Sequence, residues 1–519
     1  MFAAGPSVAH ADDAPLAHRI VRVALPGTAQ GASGRLILFA MPAAAAKDGT
    51  PEAIDTNPFQ PRAVSVAARE VGWIGAGQSV DIDTDGETFP AGFSTLPPGD
   101  YLVQAVLDVG HDYNYSGRHA GDLISDVTPM KFAPGASLPT LTLGRTVPAK
   151  DPWELPPSAP QAIRDVLPEA RKHAHAETMP SPALSAFAGR PLSIRAWVVT
   201  PPGYDPKAAT RYPTVYVTHG FGGGFDRFTG TIATVWSAMV DKKMPPMIWV
   251  LLDEAGPTGT HEFADSVNNG PWGQALTTEY IPWLESRYKM DAKVGGRFLN
   301  GHSSGGWATL WLQTRYPKVF GGTWSTSPDP SDFHDFTGID LYAENANAYK
   351  KPDGTAYPLV RDKGQVIATF ETFARLERVL GAYGGQLASF EWVFSPRGAD
   401  GRPQPMFNRD TGAIDANVVA YWRDHYDIAQ RMRTQWPSLK PDLDGKIHLI
   451  VGTADTFYLD GSARLLKDTL DGLHAKSDIR FLPGKTHFDL YTEGDDRQAL
   501  LKKIAWEMYG VARPGQGRP

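Results

Sequence analysis

The chain has 519 residues, 42% of them hydrophobic, and its 50 Lys+Arg against 57 Asp+Glu give a formal net charge of −7. That length exceeds one ordinary core, so two domains or more are expected, and the acidic balance without a long basic run excludes a nucleic-acid partner. No cysteine is present, which excludes disulfides, thiolate catalysis and Cys-zinc sites.

The opening stretch "MFAAGPSVAHADDAP" carries Ala9-His10-Ala11, a small-x-small cleavage pattern, followed by Asp12-Asp13. A basic n-region and a full apolar h-region are missing. Residues 1–17 therefore read as a signal-peptide remnant or as an Ala-rich disordered tail. The first reading, together with the absence of cysteine, points to a secreted or periplasmic protein. No run of about 18 or more apolar residues follows, so no membrane span is expected.

Residues 18–146 read as a small all-β sandwich. "HRIVRVALPG", "GRLILFAMP", "RAVSVAAREV", "GQSVDIDTDG" and "GDYLVQAVLDVG" are short β-prone runs punctuated by Gly, Pro and Asp. In one of them Tyr101, Val103, Ala105 and Leu107 fall on a single strand face. Residues 147–190 begin with a proline-rich stretch and read as a linker with a short helix and loop.

From Pro191 the pattern changes to apolar strands alternating with helical segments: "TVYVTHG", "MIWVLLDEAG", "VGGRFLNGHS", "GGTWSTSP", "KIHLIVGTAD" and "DIRFLPGKTH". Such alternation predicts a mostly parallel sheet with helices on both faces over 191–512. Residues 330–440 break the rhythm with aromatic loops and helical runs, and read as an insertion that caps the sheet.

The chemistry is concentrated where "RFLNGHSSGGWATLWL" turns from strand to helix. A serine hydroxyl is a poor nucleophile unless a base activates it and the backbone lets a carbonyl approach. A tight strand-to-helix turn supplies that access, and small residues two before and two after the serine relieve its crowding. Gly301, Ser303 and Gly305 fit this pattern. Ser304, the rival hydroxyl, is off centre between the glycines and is assigned a backbone N–H donor role instead. A second donor is expected from the loop after an earlier strand, "HGFGGG", with the Phe221 N–H first and Gly222 as the fallback. The acid and histidine should follow in chain order at later strand ends. Asp455, with Asp460 as alternative, and His487 stand there.

The segments "HGFGGG", "NNGPWGQALTTEYIPWLESRY", "RFLNGHSSGGWATLWLQTRYPKVFGG", "GTADTF" and "LPGKTH" resemble the putative-esterase family of α/β-hydrolases. That family includes S-formylglutathione hydrolase and feruloyl, acetylxylan and enterochelin esterases. The resemblance covers about 195–330 and 445–510. It implies Ser303, Asp455 and His487 as a catalytic triad and the Phe221 and Ser304 amides as an oxyanion hole. The N-terminal β region and the long insertion depart from the minimal pattern and leave the substrate open.

The expected function is that of a serine carboxylic-ester hydrolase acting on a small-molecule or carbohydrate-linked ester of feruloyl, acetyl or related small-acyl type. No cofactor or metal is needed. The alternatives are acyl transfer by the same triad and a non-catalytic binding protein on a hydrolase fold. "DIDTDG" copies the start of a calcium loop but has Gly92 at the twelfth position, so it reads as a turn. His173 and His175 lack a third metal ligand nearby, and Asp253 reads as a strand-end cap, with the orienting of a cleft loop as the alternative. Trp272 and Trp307 read as core.

Overall fold

The computed structural model describes residues 18–46, 49–114 and 117–516. The cleavage pattern read at 9–11 lies outside them. By its contacts the chain divides into two compact units: Met1–Thr56, Arg62–Val109 and Gly121–Val147 in one, and Asn57–Pro61, Gly110–Ala120 and Pro148–Pro519 in the other.

The first unit is all β. A three-stranded sheet has Ile20–Ala24 between Ser79–Asp83, antiparallel, and Leu141–Thr142, parallel. A seven-stranded sheet is built on the antiparallel pair Ala32–Pro42 and Gly99–Asp108. Val21, Val23 and Ile82 of the first sheet share a core with Leu36, Leu38, Val103 and Ala105 of the second. This is a sandwich arrangement in which Ile20–Ala24 buries alternate side chains, whereas Ala32–Pro42 and Gly99–Asp108 are buried at successive positions. The acids of "DIDTDG" are occupied locally. Asp81 pairs with Arg22, Asp83 with His18, and Asp85 accepts from the Arg19 and Ser94 N–H groups.

The second unit is an α/β-hydrolase fold. Its eight-stranded sheet comprises β1 (Ala174–Pro180), β2 (Ser193–Val199), β3 (Thr214–Thr218), β4 (Ile248–Leu252), β5 (Arg297–His302), β6 (Gly322–Thr326), β7 (Ile447–Gly452) and β8 (Ser477–Leu482). The spatial order is β1-β2-β4-β3-β5-β6-β7-β8. β2 is antiparallel to both neighbours, and β4 through β8 run parallel. Every residue of β4 and β6 is buried, as expected for strands covered on both faces. The sheet begins before residue 191: β1 lies inside the stretch read as linker. Its alternation is weak because it is an edge strand: only Ala174 and Met179 are buried, and they lie on opposite faces.

Between β6 and β7 the chain makes a hairpin (Pro358–Asp362 and Gln365–Thr369) and helices at Phe370–Leu380, Gln386–Phe394, Ala416–His425 and Ile428–Leu443. These do not form a separate globule. Phe333, Phe394 and Trp422 pack in one core with Trp307 and Trp311 of the helix Ser304–Arg315 and with Leu449 and Val451 of β7. Among the described residues no helix is long and apolar enough to cross a membrane.

Trp422 is central to that shared core. It is fully buried, its indole N–H donates to Ser395 Oγ at 2.9 Å, and its ring meets Phe394 at 5.2 Å. Trp422→Ala is expected to cost about 3–5 kcal/mol through the cavity it leaves. Urea unfolding measures this, and Trp422→Phe should recover part of it.

Candidate active site

The parallel strands end along one edge of the sheet, and the candidate residues gather there. His219 follows β3 directly, Asp253 follows β4 and Ser303 follows β5. Asp329 lies three residues past β6, Asp455 three past β7 and His487 five past β8. Connections at this edge are the ordinary place for chemistry in an open α/β sheet.

Ser303 occupies the turn between β5 and the helix Ser304–Arg315 with φ 62° and ψ −128°. A non-glycine residue is rarely held in such a conformation unless its surroundings enforce it. Here the neighbours do so. Ser303 N–H donates to the Thr326 carbonyl at 3.1 Å, and its own carbonyl accepts from Trp307 N–H at 3.0 Å and Asp329 N–H at 3.2 Å. The glycines make room. A Cβ on Gly301 would sit 2.1 Å from the Gly305 carbonyl oxygen, and one on Gly305 would sit 2.6 Å from the Thr218 and His219 carbonyl oxygens. Ser304 turns its hydroxyl away and donates to Asp329 Oδ2 at 2.6 Å.

Asp455 and His487 meet. The carboxylate Oδ2 lies 2.9 Å from His487 Nδ1, and both side chains are buried. Burial disfavours the Asp455 carboxylate, but the His487 hydrogen bond and charge and the Phe457 N–H outweigh it, leaving its pKa below the usual range. Asp460, the alternative acid, begins the helix Asp460–Gly472 and pairs with Arg361 and Arg464, away from the imidazole. With Nδ1 engaged, Nε2 is the nitrogen left for a proton transfer. The His487 ring lies 4.4 Å from the ring of His302, the residue before Ser303. Burial and the neighbouring His487 push His302 down to about 3, so it stays neutral beside the site. Among the described residues Ser303 Oγ makes no hydrogen bond, which leaves the hydroxyl free.

The loop after β3 presses against the serine, where a Cβ on Gly220 would be 3.1 Å from Ser303 Cβ. Gly223 N–H donates to the Gly220 carbonyl, closing a turn around Phe221 and Gly222, and Gly222 has φ 77°. His219 holds this loop. Its Nδ1 donates to the Gly220 carbonyl at 2.8 Å, and its Nε2 accepts from Glu254 N–H at 3.0 Å. Asp253 thus does more than cap a strand. It pairs with Arg195 and lies 3.5 Å from His219 Nε2, tying the β4 end to the glycine loop.

The structure adds buried acids that the sequence reading missed. Both carboxyl oxygens of Glu254 and of Glu262 are buried without hydrogen-bond partners. Burial pushes Glu254 up to about 8, partly offset by His219. Burial also raises Glu262, and it raises Asp329 to about 6 against the Ser304 hydrogen bond. The one available signal was the acidic pair in "DEAGPTGTHEF" just past an apolar strand. Sequence alone could not tell that these carboxyls fold inward.

The family described as "Putative esterase" matches residues 191–488. Among solved structures, a ferulic acid esterase is similar at 13% identity, covering 66% of this chain and 97% of its own, with a TM-score of 0.39. The ferulic acid esterase of Anaeromyces mucronatus is 14% identical over 64% and 88%, with a TM-score of 0.35. An S-formylglutathione hydrolase from Agrobacterium tumefaciens is 12% identical over 65% and 94%, with a TM-score of 0.38. No curated protein matches.

Glu254 makes stability depend on pH. Its folded pKa is raised, so the folded state keeps a proton that the unfolded chain loses above about 4.5. The stability it contributes is complete below that value and is lost as pH rises through about 8. Glu254→Gln is expected to raise the Tm relative to wild type at pH 8, with the difference vanishing near pH 4.5. Calorimetry at both pH values checks it, and equal differences would count against it. Gly305→Ala, which drives a Cβ into two backbone carbonyls, is expected to lower Tm and esterase rate together.

Proposed function

The chain belongs to the putative-esterase family of α/β-hydrolases and is a serine carboxylic-ester hydrolase, and from that premise we propose that it works through an acyl-enzyme on Ser303. His487 Nε2 takes the Ser303 proton as the hydroxyl attacks the ester carbonyl. Asp455 holds the imidazole tautomer through Nδ1 and stabilises the imidazolium that forms. The Phe221 and Ser304 N–H groups receive the tetrahedral oxyanion. Donors of this kind act on charge that appears only as the transition state forms, so they lower the barrier more than they tighten binding. The imidazolium then gives its proton to the departing alkoxide. Water activated by the same nitrogen deacylates the serine.

The observation that carries this reading is the buried Asp455–His487 hydrogen bond at 2.9 Å, at the strand edge that presents Ser303 on its tight turn. A serine-to-histidine contact that forms on substrate binding is consistent with the free hydroxyl, since catalytic hydrogen bonds often tighten only in the bound complex. The substrates proposed are small-acyl esters, with acetyl and feruloyl esters as the first candidates.

Turnover of p-nitrophenyl acetate tests the assignment. Ser303→Ala and His487→Ala are expected to abolish the burst and the steady rate. Asp455→Asn is expected to lower kcat by about 10^4-fold while leaving the fold intact. Asp460→Asn should leave kcat near wild type. An unchanged rate in Ser303→Ala would overturn the mechanism.

A further inference from the structure

We propose that Phe59, Phe457 and Phe488 form a stacking subsite for a planar apolar ring carried by the leaving alcohol of the ester. The inference rests on the assignment of His487 as the base that protonates that alcohol.

Two of the rings stand against the imidazole and the third packs on them. Phe457 meets His487 edge-on with centroids 4.9 Å apart, and Phe488 does so at 5.4 Å. Phe59, in the Asn57–Pro61 segment of the same unit, lies 5.5 Å from Phe488 and 6.3 Å from Phe457. Phe488 is 65% exposed and Phe59 is 38% exposed. A single exposed aromatic needs no explanation, but a contiguous group left in water marks a place where something apolar is bound.

Local turns fix where these rings stand. Asp489 Oδ1 accepts from both Thr486 N–H and Thr486 Oγ1, a turn that brackets His487 and Phe488. Asn57 Oδ1 accepts from Phe59 N–H at 2.8 Å, and the Asn57 carbonyl accepts from Gln60 N–H. Side chains held on such turns can present a surface before a ligand arrives, which lowers the ordering cost of binding.

The chemistry follows from position. With Nδ1 engaged by Asp455, Nε2 is the nitrogen that hands a proton to the departing alkoxide, and the proposed subsite receives the alcohol portion on the rings beside that imidazole. Phenylalanine rings offer flat apolar faces and no hydrogen-bonding atom. They favour an aromatic ring, stacked offset or edge-to-face, over a hydroxyl-rich one.

The test compares benzyl acetate with ethyl acetate on the full chain, with wild type, Phe59→Ala, Phe488→Ala and Phe488→Leu. The readout is the ratio of kcat/KM for benzyl to ethyl ester, which cancels any loss of folded protein. Each alanine variant is expected to lower that ratio about 3–10-fold, through KM rather than kcat, with Phe488→Leu falling between. A ratio unchanged in both alanine variants, or a loss carried by kcat for both esters alike, would overturn the subsite. Ser303→Ala is run alongside. If it stays active, the catalytic assignment fails. If it is inactive and the ratio does not move, the subsite alone fails.

Discussion

The strained backbone of Ser303 is the constraint on which the rest of the site depends. Holding a side-chain-bearing residue at φ 62° costs on the order of 1–3 kcal/mol. That cost is met by three hydrogen bonds to its peptide groups and by the close approach of Gly301 and Gly305 to β3 and its following loop. The same contacts that force the turn also bring the glycine loop to the serine. Loop, helix start and Ser303 are therefore one mechanical assembly. A change in any of these contacts shifts the hydroxyl against the Asp455–His487 pair.

The electrostatics complement this geometry. Glu254 is buried and neutral through much of the ordinary pH range, and Glu262 is pushed the same way. His302 and His261 are each held down to about 3 by burial. The groups nearest the elbow thus carry little charge of their own. Two carboxylates are the exceptions: Asp329, raised only to about 6, and Asp455, whose pKa is lowered by the imidazole it pairs with.

Much of this was legible in the sequence, because its signals are local. The Gly-x-Ser-x-Gly turn, the glycine loop and the acid and histidine after late strands each show in a short window of residues. Between Asp455 and Asp460 the local sequence does not decide, and the structure does: Asp455 meets the imidazole while Asp460 pairs with two arginines. What was not legible depends on long-range packing. β1 hid inside a presumed linker because an edge strand needs little alternation. Glu254 and Glu262 gave no hint of burial, since nothing in the chain nearby compensates them. That Asn57–Pro61 keeps company with the second unit could not be read from a window dominated by the first.

The insertion between β6 and β7 has a consequence for how the enzyme fails. Its aromatic residues share a core with Trp307 and Trp311, on the helix that begins directly after Ser303. Warming that loosens this region must loosen the serine's own support at the same moment. Thermal inactivation should therefore coincide with melting of the second unit, with no window in which that unit is folded but catalytically silent. A segment that departs from the minimal family pattern is thus one on which the Ser303 turn depends for its support.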